Sequence, residues 1–163
     1  MTRLTKIAAA AALVAAAVAL AGWSAARGNA ATPASTAAAK RITLLSPPGG
    51  KTTEVIPGKN GPKAVGDEFI TTGAPLVQPV TKAHVGHVDS IVVIASDTFD
   101  HLSITAHIGS GTLEASGEFR DSGGASVVAV TGGTGSFAGA QGTLTITELG
   151  DTGAARLAFV VRR

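Results

Sequence analysis

No cysteine occurs anywhere in the 163 residues. That excludes disulfide staples, a thiolate nucleophile and a lipid-bearing cysteine, so the fold must rest on its core and on closed hydrogen bonding. Tyrosine is also absent, and the one tryptophan, Trp23, lies near the N-terminus. Aromatic character beyond it is limited to Phe69, Phe99, Phe119, Phe137 and Phe159. A convincing helical period is missing after residue 40. In its place, short β-branched runs alternate with Gly, Asp, Ser and Pro, the punctuation of an all-β domain.

The N-terminus follows different rules. Arg3 and Lys6 precede an unbroken apolar run from Ile7 to Gly22, and Gly28-Asn29-Ala30 offers a small-residue cleavage site. Sixteen helical residues span about 24 Å, short of a ~30 Å bilayer core. Residues 1–30 are therefore expected to be a signal peptide, 31–40 a disordered Ala/Thr/Ser/Pro linker, and 41–163 a single secreted domain with no membrane segment after cleavage. Removing the leader takes three of thirteen basic residues, leaving ten against eleven acidic ones, and moves the formal charge from +2 to −1. The pI of about 9.3 belongs to the leader. It is no argument for a nucleic-acid partner, which needs a basic patch on the domain.

Eight strands are expected, at Arg41–Ser46, Asp67–Thr72, Gly86–Ser96, His101–Ile108, Thr112–Phe119, Ala125–Thr131, Gly142–Leu149 and Ala154–Val161. Lys51 to Lys63 reads as a long loop or a weak extra strand. This close spacing argues a meander that closes into an antiparallel barrel. Alternation assigns the faces. His101, Ser103, Thr105 and His107 oppose Leu102, Ile104, Ala106 and Ile108, while Thr112, Glu114, Ser116 and Glu118 oppose Leu113, Ala115, Gly117 and Phe119. Ser110-Gly111 is the expected turn between these runs. Ile91 to Ile94 and Val127 to Val130 are apolar on both faces, which implies an outer cover and hence a homo-oligomer, a dimer or a trimer.

The densest glycine lies in Thr131 to Gly142, with Gly132, Gly133, Gly135, Gly139 and Gly142 around Phe137. A phosphate-binding reading fails here. No Gly-Lys-Ser/Thr follows, the glycine spacing is one residue too long for a dinucleotide fingerprint, and a strand rather than a helix comes next. The pattern instead suits a tight barrel corner in which Phe137 plugs one end.

With its flanking strands, this corner, VVAVTGGTGSFAGAQGTLTI (Val127–Ile146), resembles the signature of the allene oxide cyclase and dirigent proteins. Val65-Gly-Asp-Glu-Phe69, Val85 to Ile94 and Gly111 to Phe119 are similar to the family's preceding strands, in the same order. The resemblance implies an eight-stranded antiparallel β-barrel without cofactor or metal. Its cavity would hold a small hydrophobic molecule and steer a cyclisation or coupling, with a cyclase-type isomerase as the enzyme class. The family's functional residues do not transfer. Its cyclases carry a carboxylate and an Asn where this chain has Ile42 to Ser46, and a cysteine near Ile91. Plant dirigent proteins have an arginine at the position of Gln141.

Candidate ligand-binding positions are Leu102, Ile104, Leu113, Phe119, Leu144 and Phe159, on the apolar faces. Candidate catalytic groups are His87, Asp89 and Gln141. His87 and Asp89 share a strand face and suit an acid/base pair at a cavity mouth. No metal is expected: His84 falls on the opposite face, and His101 and His107 lie about 20 Å apart along one strand at ~3.3 Å per residue. Glu114 and Glu118 read as solvated exterior. The rival class is a non-catalytic extracellular ligand-carrying or structural barrel.

Overall fold

The computed structural model describes residues 38–56, 64–120 and 124–163. The expected leader and most of the linker lie outside the described residues. Nine strands are present: β1 (Lys40–Ser46), β2 (Lys51–Ile56), β3 (Glu68–Val77), β4 (His84–Ile94), β5 (Asp100–Ile108), β6 (Gly111–Phe119), β7 (Ala125–Gly135), β8 (Gln141–Glu148) and β9 (Ala155–Arg162). A 3-10 turn at Gly150–Thr152 joins the last two. Strands β3 to β9 form an antiparallel meander, and β1 pairs with β9 from Lys40↔Val161 to Ser46↔Ala155. Leu45↔Val77 then closes the ring of eight.

The ninth strand is the second half of the first. β1 meets the C-terminal end of β3 at Val77, and β2 continues in the same direction along β3 from Lys51↔Thr72 to Ile56↔Glu68. Pro47-Pro48-Gly49-Gly50 separates the two segments. Proline cannot donate to the ladder, so the diproline frees β1 to turn toward β9 while β2 stays on β3. The weak extra strand read at Lys51 to Lys63 is therefore real as far as Ile56. Residues 57–63 lie outside the described residues.

Burial follows the alternation. In β5, Leu102, Ile104 and Ala106 are buried, with more exposed neighbours between them. Leu113 and Ala115 continue this layer on β6, Val128 and Val130 on β7, Leu144 and Ile146 on β8, and Leu157, Phe159 and Val161 on β9. Bulges reset the parity at several points, two of them in the walls of the barrel. On β3 the register shifts between Thr71 and Ala74, and on β7 Thr131 is the extra residue between the pairs Ala115↔Val130 and Glu114↔Gly132. Such bulges tighten the local twist that a small barrel needs.

Two turns differ from the sequence reading. The β5–β6 turn is Gly109-Ser110, one residue early, because Gly111 already pairs with Ile108. At the corner, β7 runs on through Gly132, Gly133 and Gly135 instead of stopping at Thr131. These glycines pair with β6 so closely that a Cβ on Gly135 would lie 2.1 Å from the Ser110 carbonyl oxygen. The turn proper is Ser136 to Gly139, held by Phe137 N–H donating to Thr134 O at 2.9 Å and Ala140 N–H to Phe137 O at 2.9 Å. Phe137 is 5% exposed and belongs to the core, as a plug must. Lys40 and Arg163 stand over its ring, 5.7 and 5.9 Å from the centroid, and the Arg163 guanidinium donates to Ser136 O.

Candidate functional site

The corner closes one end of the barrel. Toward the other end is a cavity of ≈ 390 Å³, near the lower limit of the ~300–1,000 Å³ typical of ligand pockets. Its floor and walls are apolar: Val88, Val92, Leu102, Ile104, Phe119, Ile146 and Leu157. Its polar lining comes from Ser46, Thr52, Thr71, Ser90, Glu148 and Thr152. Strand alternation places Ser90 two residues beyond the buried Val88, and Glu148 two beyond the buried Ile146. Thr52 and Thr71 are hydrogen-bonded to each other at 2.8 Å. The break between β1 and β2 adds Pro48 and Gly49, and the β8–β9 connection adds Thr152 and Gly153. The opening thus lies where the chain departs from regular strand, and where a side chain can face inward without being packed.

Of the six expected ligand-binding residues, Leu102, Ile104 and Phe119 line the cavity. Leu113, Leu144 and Phe159 are at most 1% exposed and sit in the packed core. Alternation identifies the inner face, but it carries no information on depth, and the cavity borders only some of the inward-facing residues. Glu148 was missed as a site residue. The signal was available in the parity of β8, since Gly142, Leu144, Ile146 and Glu148 share a face.

The three expected polar groups are not at the cavity. Gln141 is exposed at the plugged end, opposite Arg162. His87 and Asp89 alternate with the buried Val88 and so face outward. The expectation that they stand at the mouth is corrected by that parity. Glu114 and Glu118 are exposed, as read from the sequence.

On the outer face, His87 and Asp89 have a third companion. His107 lies directly across from His87 on β5. The two imidazoles stack with centroids 4.3 Å apart and planes 14° from parallel. Asp89 Oδ2 is 3.2 Å from His107 Nε2 and 3.9 Å from His87 Nε2. Asp89 Oδ1 accepts the Gly73 N–H at 2.8 Å, from the bulge in β3. Counting back along both strands from the turn at Ser96 to Phe99 would have found the pair, because β4 and β5 stay in register from Ile94↔Asp100 to Gly86↔Ile108.

No protein-family model and no curated protein matches the sequence. Solved structures do match. Pyocyanin demethylase is similar at 22% identity and a TM-score of 0.61, over 74% of this chain and 99% of its own. The pterocarpan synthase dirigent protein is similar at 18% identity and a TM-score of 0.56, over 76% of this chain and 81% of its own. At these identities the likeness is one of fold.

Proposed function

We propose, from the premise that this chain has the allene oxide cyclase/dirigent-like barrel fold, that its cavity binds a small hydrophobic molecule and fixes its shape for a cyclisation or coupling. The observation that carries this reading is a cavity with apolar walls and a few hydroxyls and one carboxylate, Glu148, at its lining. Such a site orients a reactant through shape, and limited conformational freedom lowers the barrier without a covalent intermediate. Two similar barrels bear the names of a demethylase and a synthase, which supports turnover in a cavity of this type.

The test is mass spectrometry of small molecules extracted from the purified protein, paired with binding of a hydrophobic fluorescent probe. Wild-type protein yields an apolar compound and binds the probe. Ala155→Trp, which fills the cavity from the start of β9, weakens probe binding at least about tenfold while the fold is retained. Binding that is unchanged in Ala155→Trp would sink the cavity reading.

The rival reading, carriage without chemistry, is favoured by the outward direction of His87 and Asp89, which leaves Glu148 as the acidic side chain lining the cavity. Glu148→Gln separates the two. It lowers turnover and spares binding if the barrel is an enzyme that uses this carboxylate, whereas a carrier shows no turnover in either form and binds unchanged.

Secretion, with the barrel acting outside the cell, and self-association complete the proposal. Two neighbouring rows of the outer surface carry almost no charge. One is Val127, Thr145, Ala158 and Thr43, and the other Ala129, Thr143 and Val160, ending at Arg41. Val127 is 61% exposed at the edge of this face. Burial in a homo-oligomer would remove that apolar surface from water. Light scattering at micromolar concentration is expected to give a dimer or a trimer, with Val127→Arg shifting it to monomer. A wild-type monomer would overturn the assembly.

A further inference from the structure

The cluster on the outer face is used neither by the cavity nor by the uncharged rows. We propose that His87, Asp89 and His107 form a binding site for a divalent transition-metal cation, Zn²⁺ foremost. Their donor atoms all lie within 4.8 Å of one another. A tetrahedral ion with ligands at ~2.0–2.1 Å has edges of about 3.3 Å. The His107–Asp89 edge already measures 3.2 Å, and the His87–Asp89 edge, at 3.9 Å, needs only a modest side-chain rotation. The stacked rings must also tilt out of parallel, so that both Nε2 lone pairs converge on the ion. Both side chains are partly exposed and free to do this.

The scaffold favours the site. Its three residues come from two adjacent strands in continuous register, which fix Cα positions better than loops do. The Gly73 N–H occupies Asp89 Oδ1 and leaves Oδ2 aimed at the imidazoles. Orientation of a ligating carboxylate by an outer hydrogen bond is a recurrent feature of metal centres. The alternative, a plain surface ion pair, accounts for one imidazole beside the carboxylate but gives no reason for a second stacked on it.

Ligand chemistry selects the ion. Two imidazoles and one carboxylate suit Zn²⁺ and its transition-series neighbours, whereas Ca²⁺ and Mg²⁺ favour all-oxygen shells. Glu114 is the next acidic group in the row Asp89, Thr105, Glu114, two strands away at roughly 4.8 Å per strand, too far to ligate. Three protein ligands therefore leave one position for water or an incoming ligand. Along β5, His101 and His107 are too far apart to share an ion, but across the ladder His107 stands directly against His87.

Zn²⁺ titration of the untagged full chain by calorimetry tests the proposal. One equivalent is expected to bind, and Co²⁺ in its place to give the visible absorption of a low-coordinate ion. Changes one shell out from a metal cost about 10–100-fold in affinity, so loss of a ligand in His107→Ala or Asp89→Asn is expected to cost at least about 100-fold. His101→Ala, at an exposed position of β5 outside the cluster, is expected to change nothing. Should a variant fail to fold, Zn²⁺-induced shifts of the His87 and His107 ring resonances in the wild-type chain give the same answer. A Kd weaker than about 1 mM, or uptake undiminished by His107→Ala, overturns the site.

Discussion

Phe137→Ala is expected to lower the free energy of unfolding by about 3–5 kcal/mol, measured from the urea midpoint at unchanged slope. The side chain is 5% exposed and packs with the core at the closed end, below the tight Ser136 to Gly139 turn. That turn is held by backbone hydrogen bonds of its own and has little freedom to collapse into the space left behind. Truncation therefore combines lost transfer energy with an unfilled cavity, and a domain holding only about 5–15 kcal/mol becomes marginal. The Lys40 and Arg163 contacts with the ring go as well, but exposed cation–π pairs contribute less than about 1 kcal/mol each. Phe119→Ala gives the contrast. Phe119 is only partly buried and already borders the cavity, so the same truncation there should cost distinctly less. Equal costs at the two positions would refute the plug.

Gly142→Ala is expected to be about as damaging, at roughly 2–6 kcal/mol. Gly142 begins the inward-facing set of β8 with φ 154°, and a Cβ built there would lie 1.9 Å from the Val160 carbonyl oxygen. Two costs add. The backbone angle is strained for any L side chain, and a β9 carbonyl that pairs across this ladder must move aside. The obstacle is backbone, so no rotamer change relieves it. Gly132→Ala is the control within the same motif: its added methyl meets only the Glu114 carboxylate, at 3.5 Å, and should be nearly neutral. Thermal unfolding of the two variants side by side separates a general glycine effect from this one close approach. Similar midpoints would show that the corner tolerates a side chain at 142.

Those two variants mark how far the sequence could be read. The strand positions, the inward faces and the plug followed from alternation and from glycine around one phenylalanine. Both are local properties, set by the alternation of strand side chains and by the steric demand of a Cβ. The break that lets β1 and β2 share β3 was only half legible, because Pro47-Pro48-Gly49-Gly50 signals an interruption without saying that both pieces pair with one strand. The bulges at Thr71 to Ala74 and at Thr131 were not legible at all, since an extra residue appears only against its partner.

Candidate site residues divide the same way. The six apolar positions were correctly placed on inner faces, but depth along the barrel separated Leu102, Ile104 and Phe119 from Leu113, Leu144 and Phe159. His87 and Asp89 were rightly read as sharing a face and wrongly aimed at the cavity. By itself, the cysteine-free, glycine-punctuated sequence determined a barrel with its plug and its faces, because those depend on neighbours one to ten residues away. The tertiary structure decided where the cavity lies, that Glu148 borders it, and that His107 stands against His87. Each of those depends on register between strands, and pairing brings together residues that the chain itself keeps far apart.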